Sequence, residues 1–468
     1  MKRRTFKPLL LATVAGLGLL AGSLSASAET LADALVSAYK VSHLLEQNRA
    51  TLRAADEDVA TAVAALRPVA KWGAEFSKSR CNIPVQVSFA ANCDDGHWKE
   101  LEATMALTLD WTLFDFGRNR LSVDIQKETV LATRAALLST EQDVLLSAVK
   151  AYADAKATAE QVAITENSVR VISEQLKAAQ DRFDVGEVTK TDVSQAEASL
   201  AGARAALAAA QGQYKAAREA YKAVIGHYPE LLSSVPKAPK LPKTTAEANA
   251  TALRLHPAIK QAQHLVSAAD LGVALAHAQH LPTVSGQAKL ADPKDSGRSS
   301  TLSLSIGQPI YSGGAIASAN RKAVANRDKA RAGLSQAGVE VAQAVANAFA
   351  GIDVYRAQIN AYDQQIQAAD LAYQGVREEA TLGARTTLDV LNSEQDLLDA
   401  KASRITAEAS LQVAYYQLLS AMGLLTVENL KLGIPTYDPA AYYNAVQNAP
   451  LSDQGKALDR VLRAIGKN

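Results

Sequence analysis

Few ionisable side chains in this sequence stand in arrangements that chemistry could use. Two threonine–aspartate pairs, Thr189 with Asp192 and Thr386 with Asp389, follow a glycine where one long apolar heptad run ends and another begins. Such a pair caps and charges the start of a helix. His277 and His280 are three apart near a helix end and have a spacing that can share a metal, but surface histidines so placed are more often idle. Cys81 and Cys93 lie twelve apart in one polar loop, with only His97 close enough to add a ligand. In an oxidising compartment a disulfide is the better reading, contributing roughly 3 kcal/mol by the chain-entropy model. No phosphate-binding glycine loop, HExxH, CxxC or GxSxG is present, and no carboxylate pair stands beside a candidate pocket. The residues therefore point to no catalytic centre, no cofactor and no enzyme.

The elements that position the aspartates occur twice. Phe183-Asp184-Val185-Gly186-Glu187-Val188-Thr189-Lys190-Thr191-Asp192-Val193 returns 197 residues later as Ala380-Thr381-Leu382-Gly383-Ala384-Arg385-Thr386-Thr387-Leu388-Asp389-Val390. In the same register Gly117 maps to Gly314, Tyr152 to Phe349, Glu197 to Glu394, Leu200 to Leu397 and Gly226 to Gly423. About 110 positions align without a gap, so the chain holds two copies of one unit. Each glycine closes a helix in the left-handed conformation, and the threonine opens the next.

Length and composition agree with long helices packed through small side chains. The chain has 468 residues, is rich in alanine and contains only 5% aromatic residues. Lys2, Arg3, Arg4 and Lys7 precede an apolar run from Leu9 to Ala21, and Ala26-Ser27-Ala28 fits a signal-peptidase site. Residues 1–28 thus read as a secretory signal peptide, with Glu29 the new N-terminus. Its removal leaves 45 basic against 48 acidic residues, a balance that gives no support to a nucleic-acid partner. No later segment is apolar for long enough to cross a membrane as a helix.

The first structural repeat covers residues 29–228. A helical pattern runs from Leu31 to Leu66 and stops at Pro68. The period then changes to two: Ala70, Trp72, Ala74 and Phe76 alternate with polar or small residues in a strand over about 69–79. Leu107, Leu109, Trp111 and Leu113 do the same in a strand over about 104–114. A helix of roughly 65 residues, about 100 Å long, reaches Gly186, and its return ends at Gly226. The heptad Val162, Thr165, Val169, Ile172, Leu176, Ala179, Phe183 argues for coiled-coil packing. A proline-rich linker follows over 229–245.

The second repeat, 246–425, follows the same plan. Its helix spans about Ala246 to His280, with His256-Pro257 read as part of a helix start. Its strands cover about 283–291 and 300–311. The first hairpin loop is about 17 residues longer than the second and contains both cysteines. Residues 426–468 form a C-terminal tail with a short helical pattern near Leu458 to Ile465. Four strands with one apolar face cannot close a barrel, and a lone sheet leaves two unpaired edges. Either the sheet packs on the chain's own helices or several copies pool their strands. Aromatic residues along the apolar faces and the reach of the helices favour pooled strands in a membrane.

With its duplicated helix-strand-strand-helix-helix unit and the paired turns Asp184-Val185-Gly186 and Thr381-Leu382-Gly383, the chain resembles the TolC-like outer-membrane efflux proteins. Asp192-Val193 and Asp389-Val390-Leu391 follow the turns at the family's spacing. The resemblance implies a mainly α fold with a small β part. Long coiled-coil helices would form a periplasmic α-barrel, and four strands per protomer would contribute to a twelve-stranded β-barrel of a homotrimer in outer-membrane lipid. It further implies a passive exit duct of a tripartite efflux or type I secretion system. An inner-membrane ABC or RND-type pump would drive it through a periplasmic adaptor protein.

Residue by residue, the resemblance assigns adaptor docking to the tip residues Val185, Gly186, Val188, Leu382, Gly383 and Arg385. It assigns a pore gate to Asp389, where three copies would form a ring of negative charge. Three residues on, where the family often has a second aspartate in the gate, this chain has Asn392. Ala380 replaces an aromatic found in some members before the second tip glycine. Asp192 keeps the capping role. Two other readings are a periplasmic coiled-coil scaffold or adaptor without its own barrel, and a secreted enzyme of unusual helical fold. The four amphipathic strands and two hairpins count against the first, and the missing nucleophile, acid–base pair or metal set against the second.

Overall fold

A computed structural model describes residues 28–78, 101–233, 238–293 and 297–447. In chain order the first repeat gives α1 (Leu31–Val41), α2 (His43–Ala64), β1 (Val69–Ser77), β2 (Glu102–Phe114), α3 (Arg118–Asp184) and α4 (Lys190–Ile225). The second gives α5 (Thr245–Leu255), α6 (Pro257–Ala278), β3 (Thr283–Pro293), β4 (Ser299–Gly307), α7 (Ala315–Thr381) and α8 (Thr387–Ala421); the short α9 (Pro439–Val446) follows. The duplication extends to element length: α3 and α7 have 67 residues each, and α2 and α6 have 22 each.

Two helices expected to be continuous are broken. Ser42 ends α1 and caps α2, its hydroxyl accepting from the Leu45 N–H at 3.3 Å. At the matching place His256 ends α5, and its Nδ1 accepts from the Ala258 N–H at 3.2 Å while Pro257 opens α6. Apolar periodicity continues across both breaks, so it does not reveal them. The signal was in the residue types, since serine competes with the helix for hydrogen bonds and proline disfavours helix in the residue before it.

The short helices stack end to end with the return helices along the long ones. On α3, Val130 packs with Leu52 and Val59 of α2, and further along Ile172 packs with Ala196 and Leu200 of α4. The main core lies where these stacks meet. There Leu35, Tyr152, Tyr221, Val345, Leu418 and Met422 are buried together. Gly423 is required at this crossing: its φ is +75°, and a Cβ there would lie 2.8 Å from the His256 Cα. The linker is stitched to the core, with Lys156 Nζ donating to the Ser233 carbonyl at 3.1 Å and the Ser233 N–H to the Glu29 carbonyl at 2.9 Å. In the tail, α9 docks on α2, where the Tyr442 hydroxyl donates to Glu57 at 2.6 Å. The pattern near Leu458 to Ile465 lies outside the described residues, as do the signal peptide through Ser27, Cys81 and Cys93.

The strands form one antiparallel sheet in the order β1-β2-β3-β4. Register places Trp72 beside Leu107 and Leu107 beside Leu290, and in a second row Ala70, Leu109, Ala288 and Leu302. The opposite face carries Lys71, Thr108, Lys289 and Thr301 in one row and Asp110, Gln287 and Ser303 in the next. On it Gln287 Nε2 donates to Asp110 at 2.7 Å, and Lys71 lies 3.4 Å from the same carboxylate. One face is therefore apolar and the other polar, because side chains alternate along a strand. Helices leave the apolar face open: Trp72, Leu302, Leu304 and Ile306 are all exposed. A register shift between Thr112 and Phe114 bends the end of β2.

Candidate functional site

The far ends of the two long hairpins are built alike. At the first, the Gly186 N–H donates to the Phe183 carbonyl and the Glu187 N–H to the Arg182 carbonyl, both at 2.9 Å. At the second, the Gly383 N–H donates to Ala380 at 3.2 Å and the Ala384 N–H to Glu379 at 2.9 Å. This paired bonding satisfies the last helical carbonyls and needs a left-handed residue, which Gly186 and Gly383 supply at φ +79° and +78°. The turns hold Val185 and Leu382 out in solvent, 72% and 85% exposed. Val188 is half-buried and Arg385 is exposed, its Nε donating to Glu379 at 2.9 Å. All six residues assigned to the tips thus lie on or beside these two turns.

Asp389 and Asp192 occupy equivalent capping boxes. Asp389 Oδ2 accepts from the Thr386 N–H at 3.0 Å and from its hydroxyl at 2.9 Å; Asp192 Oδ2 accepts from Thr189 at 2.9 and 2.8 Å. The threonine N–H, then its hydroxyl, holds each carboxyl below the ordinary range; Arg385 adds to the effect at Asp389 and Arg182 at Asp192. Both are anions at neutral pH. Within one chain their local geometry does not separate a gate aspartate from a capping one. Asn392 is exposed three residues after Asp389, one turn further along α8 on nearly the same face.

One residue that the sequence did not single out lies close by. Glu394 is only 7% exposed, and its Oε2 has no hydrogen-bond partner. Burial raises its pKa to about 7. The signal was in the spacing: Val390, Glu394 and Leu397 follow steps of four and three, so a carboxylate interrupts the apolar seam of α8. Elsewhere, His280 Nε2 lies 3.1 Å from Asn320 Nδ2, and no group of three or more metal-ligating side chains occurs among the described residues.

The model of the family described as "Outer membrane efflux protein" matches residues 34–227 and 250–424. The chain belongs to this family. Within it, the chain is 35% identical over 431 residues to the outer membrane efflux protein BepC of Brucella suis, covering 91% of this chain and 92% of that protein. It is 25% identical over 443 residues to the outer membrane protein TolC of Escherichia coli, covering 90% and 87%. Its fold matches the Campylobacter jejuni CmeC outer membrane channel with a TM-score of 0.76 at 17% identity, over 94% of this chain and 98% of that one. As an outer membrane efflux protein it is not an enzyme. Its place is the outer membrane, with an extension into the periplasm.

Proposed function

We propose that three copies of this chain form a passive exit duct for small molecules or proteins, docking at its helical tips a periplasmic adaptor that links it to an inner-membrane ABC or RND-type pump. One observation carries the reading. The four-stranded sheet has an exposed apolar face and open edges at β1 and β4, and four strands are too few to close. Joining β4 of one copy to β1 of the next removes every edge, turns the apolar face to lipid and leaves the polar face around a lumen.

The helices support the same closure. Within the chain α8 lies against α3, yet its repeat equivalent, α4 against α7, has no comparable contact. A neighbouring copy would supply it. At the narrow end Asp389, with Asn392 beyond it, would set a ring of negative charge that favours cations. The kinship extends to the alkaline protease secretion protein AprF of Pseudomonas aeruginosa, 24% identical over 343 residues, which supports keeping proteins among the cargo classes.

The test is single-channel conductance of the purified protein in planar bilayers, with its oligomeric mass recorded alongside. Small, cation-preferring steps from a trimer are expected. A monomer that gives no conductance would overturn the duct.

A further inference from the structure

Towards the tips, buried polar side chains interrupt the apolar packing of the hairpins. Thr165 and Ser168 on α3 are each 4% exposed, and Ser168 lies against the Glu394 carboxyl of α8. Beside them Ile172, Ala196, Leu200 and Leu391 form an apolar cluster that joins α3, α4 and α8. Glu394 is five residues beyond Asp389, so about 7.5 Å along the helix axis separates the buried carboxyl from the proposed gate. The seam it occupies joins the first repeat to the second, and separation of the tips would pull on it.

We infer that Glu394 is a positioning residue for the closed end of the tube, its carboxyl setting how firmly α8 lies against α3 and so how readily the end opens. This rests on the duct reading above. The ionised carboxylate is poorly served where it stands. The Thr165 hydroxyl donates to the Gln161 carbonyl at 2.7 Å, leaving Ser168 as the group on α3 that favours the charged form. Lys401 on α8 favours it more distantly, and Oε2 stays unpartnered. Tyr373 on α7 also faces Glu394, with Glu174, Asp370 and Arg377 around it; on α4, Ala196, Leu200 and Ala203 belong to the adjoining apolar cluster.

A buried anion with an unpartnered oxygen is relieved when water reaches it, and so favours parting of the seam. The neutral acid lacks that penalty and can donate a hydrogen bond. The sign follows from the raised value. The closed form holds the proton up to about pH 7, whereas a hydrated glutamate releases it near 4.5. The closed seam is therefore fully favoured below the lower value and progressively disfavoured up to the higher one, and the effect is constant above it.

The test uses the full chain in planar bilayers between pH 5 and pH 8. For the wild type, opening should rise at least about tenfold across this range, one pH unit corresponding to a factor of ten in the closed-to-open ratio. Glu394→Gln should stay closed with a flat profile, its oligomeric mass unchanged. Ser168→Ala removes a group that favours the anion and should move the midpoint of the profile to higher pH. If Glu394→Gln keeps the wild-type profile, the inference fails while the duct stands. If Glu394→Gln does not assemble, an unshifted midpoint in Ser168→Ala overturns it. A wild-type protein that conducts at no pH removes the duct and this inference with it.

Discussion

Arg182 at the first tip donates from Nη1 to the carbonyl oxygen of Ala380 at the second, 3.3 Å away. Its Nε donates to Glu187 at 3.1 Å, so one guanidinium closes its own turn and joins the two hairpins. Arg182→Ala should free the tips from one another, at a cost of about 1 kcal/mol for a charge-assisted bond at a partly exposed site. The expected result is a higher rate of spontaneous opening in bilayers with little change in thermal stability. Closed-state leakage equal to wild type would show that the tips are held by other contacts.

The tip glycines separate docking from assembly. A Cβ at either Gly186 or Gly383 meets nothing within 4 Å, but each has a left-handed φ that L side chains rarely adopt. Gly186→Asp or Gly383→Asp should therefore strain the turn by about 1 kcal/mol and place charge between exposed apolar residues. Trimers should form normally while adaptor binding and efflux are lost. Pull-down with the adaptor and a drug-susceptibility assay would read this out, and normal efflux in both variants would leave the turns as corners only.

The matched capping boxes offer an internal control for the gate. Asp389→Asn and Asp192→Asn remove the same charge and weaken the same local bonds, since each carboxylate accepts the same pair from its threonine and an amide oxygen can still accept it. Fraying at the helix start should be equal in the two. Only Asp389→Asn should reduce cation preference and raise closed-state conductance severalfold, because only that charge is assigned to the narrow ring. Reversal potentials under a salt gradient measure it, and identical behaviour of the two variants would return Asp389 to capping alone.

The two faces of the sheet predict opposite tolerance. Leu304 is exposed on the apolar face, and Ser303 precedes it on the polar one. Leu304→Lys should cost about 2–4 kcal/mol if it meets the middle of the bilayer and should abolish membrane insertion. Ser303→Lys should insert normally and change ion selectivity. Outer-membrane fractionation of the two variants distinguishes them, and equal yields would mean that the apolar face does not meet lipid.

The tail clasp should weaken as pH rises. Asp56 is fully buried, neither of its oxygens has a hydrogen-bond partner, and burial raises its pKa to about 6 although Arg134 opposes the rise. Nearby, the Arg134 guanidinium stacks on Tyr443 at 5.2 Å and Arg49 on Tyr437 at 5.2 Å, fastening the tail to α2 and α3. The folded carboxyl keeps its proton to higher pH than the free group, whose value is 3.8. Stability is then greatest below 3.8 and falls until about pH 6, after which it is flat. Asp56→Asn should raise stability at pH 8 by on the order of 2 kcal/mol and remove this dependence. Melting curves at pH 5 and pH 8 would show it.

The sequence alone determined the duplication, the element types and the family, because these depend on local spacing. Alternation marked Ala70, Trp72, Ala74 and Phe76 as one face of a strand whatever lay beside it, and the glycine–threonine–aspartate order marked both tips. The breaks at Ser42 and His256 were only partly legible, since the apolar seam runs through them. Tertiary structure decided which faces are covered. Glu197 and Glu394 are the same residue at the same place in the repeat, yet Glu197 is exposed and Glu394 buried. The α8 face that carries Glu394 lies against α3 of the other repeat, whereas α4 has no comparable contact with α7, and that difference is fixed by how the two units pack, which no local pattern encodes. The same contact removed water from a carboxylate, and burial of that kind shifts a proton equilibrium that spacing alone leaves unchanged.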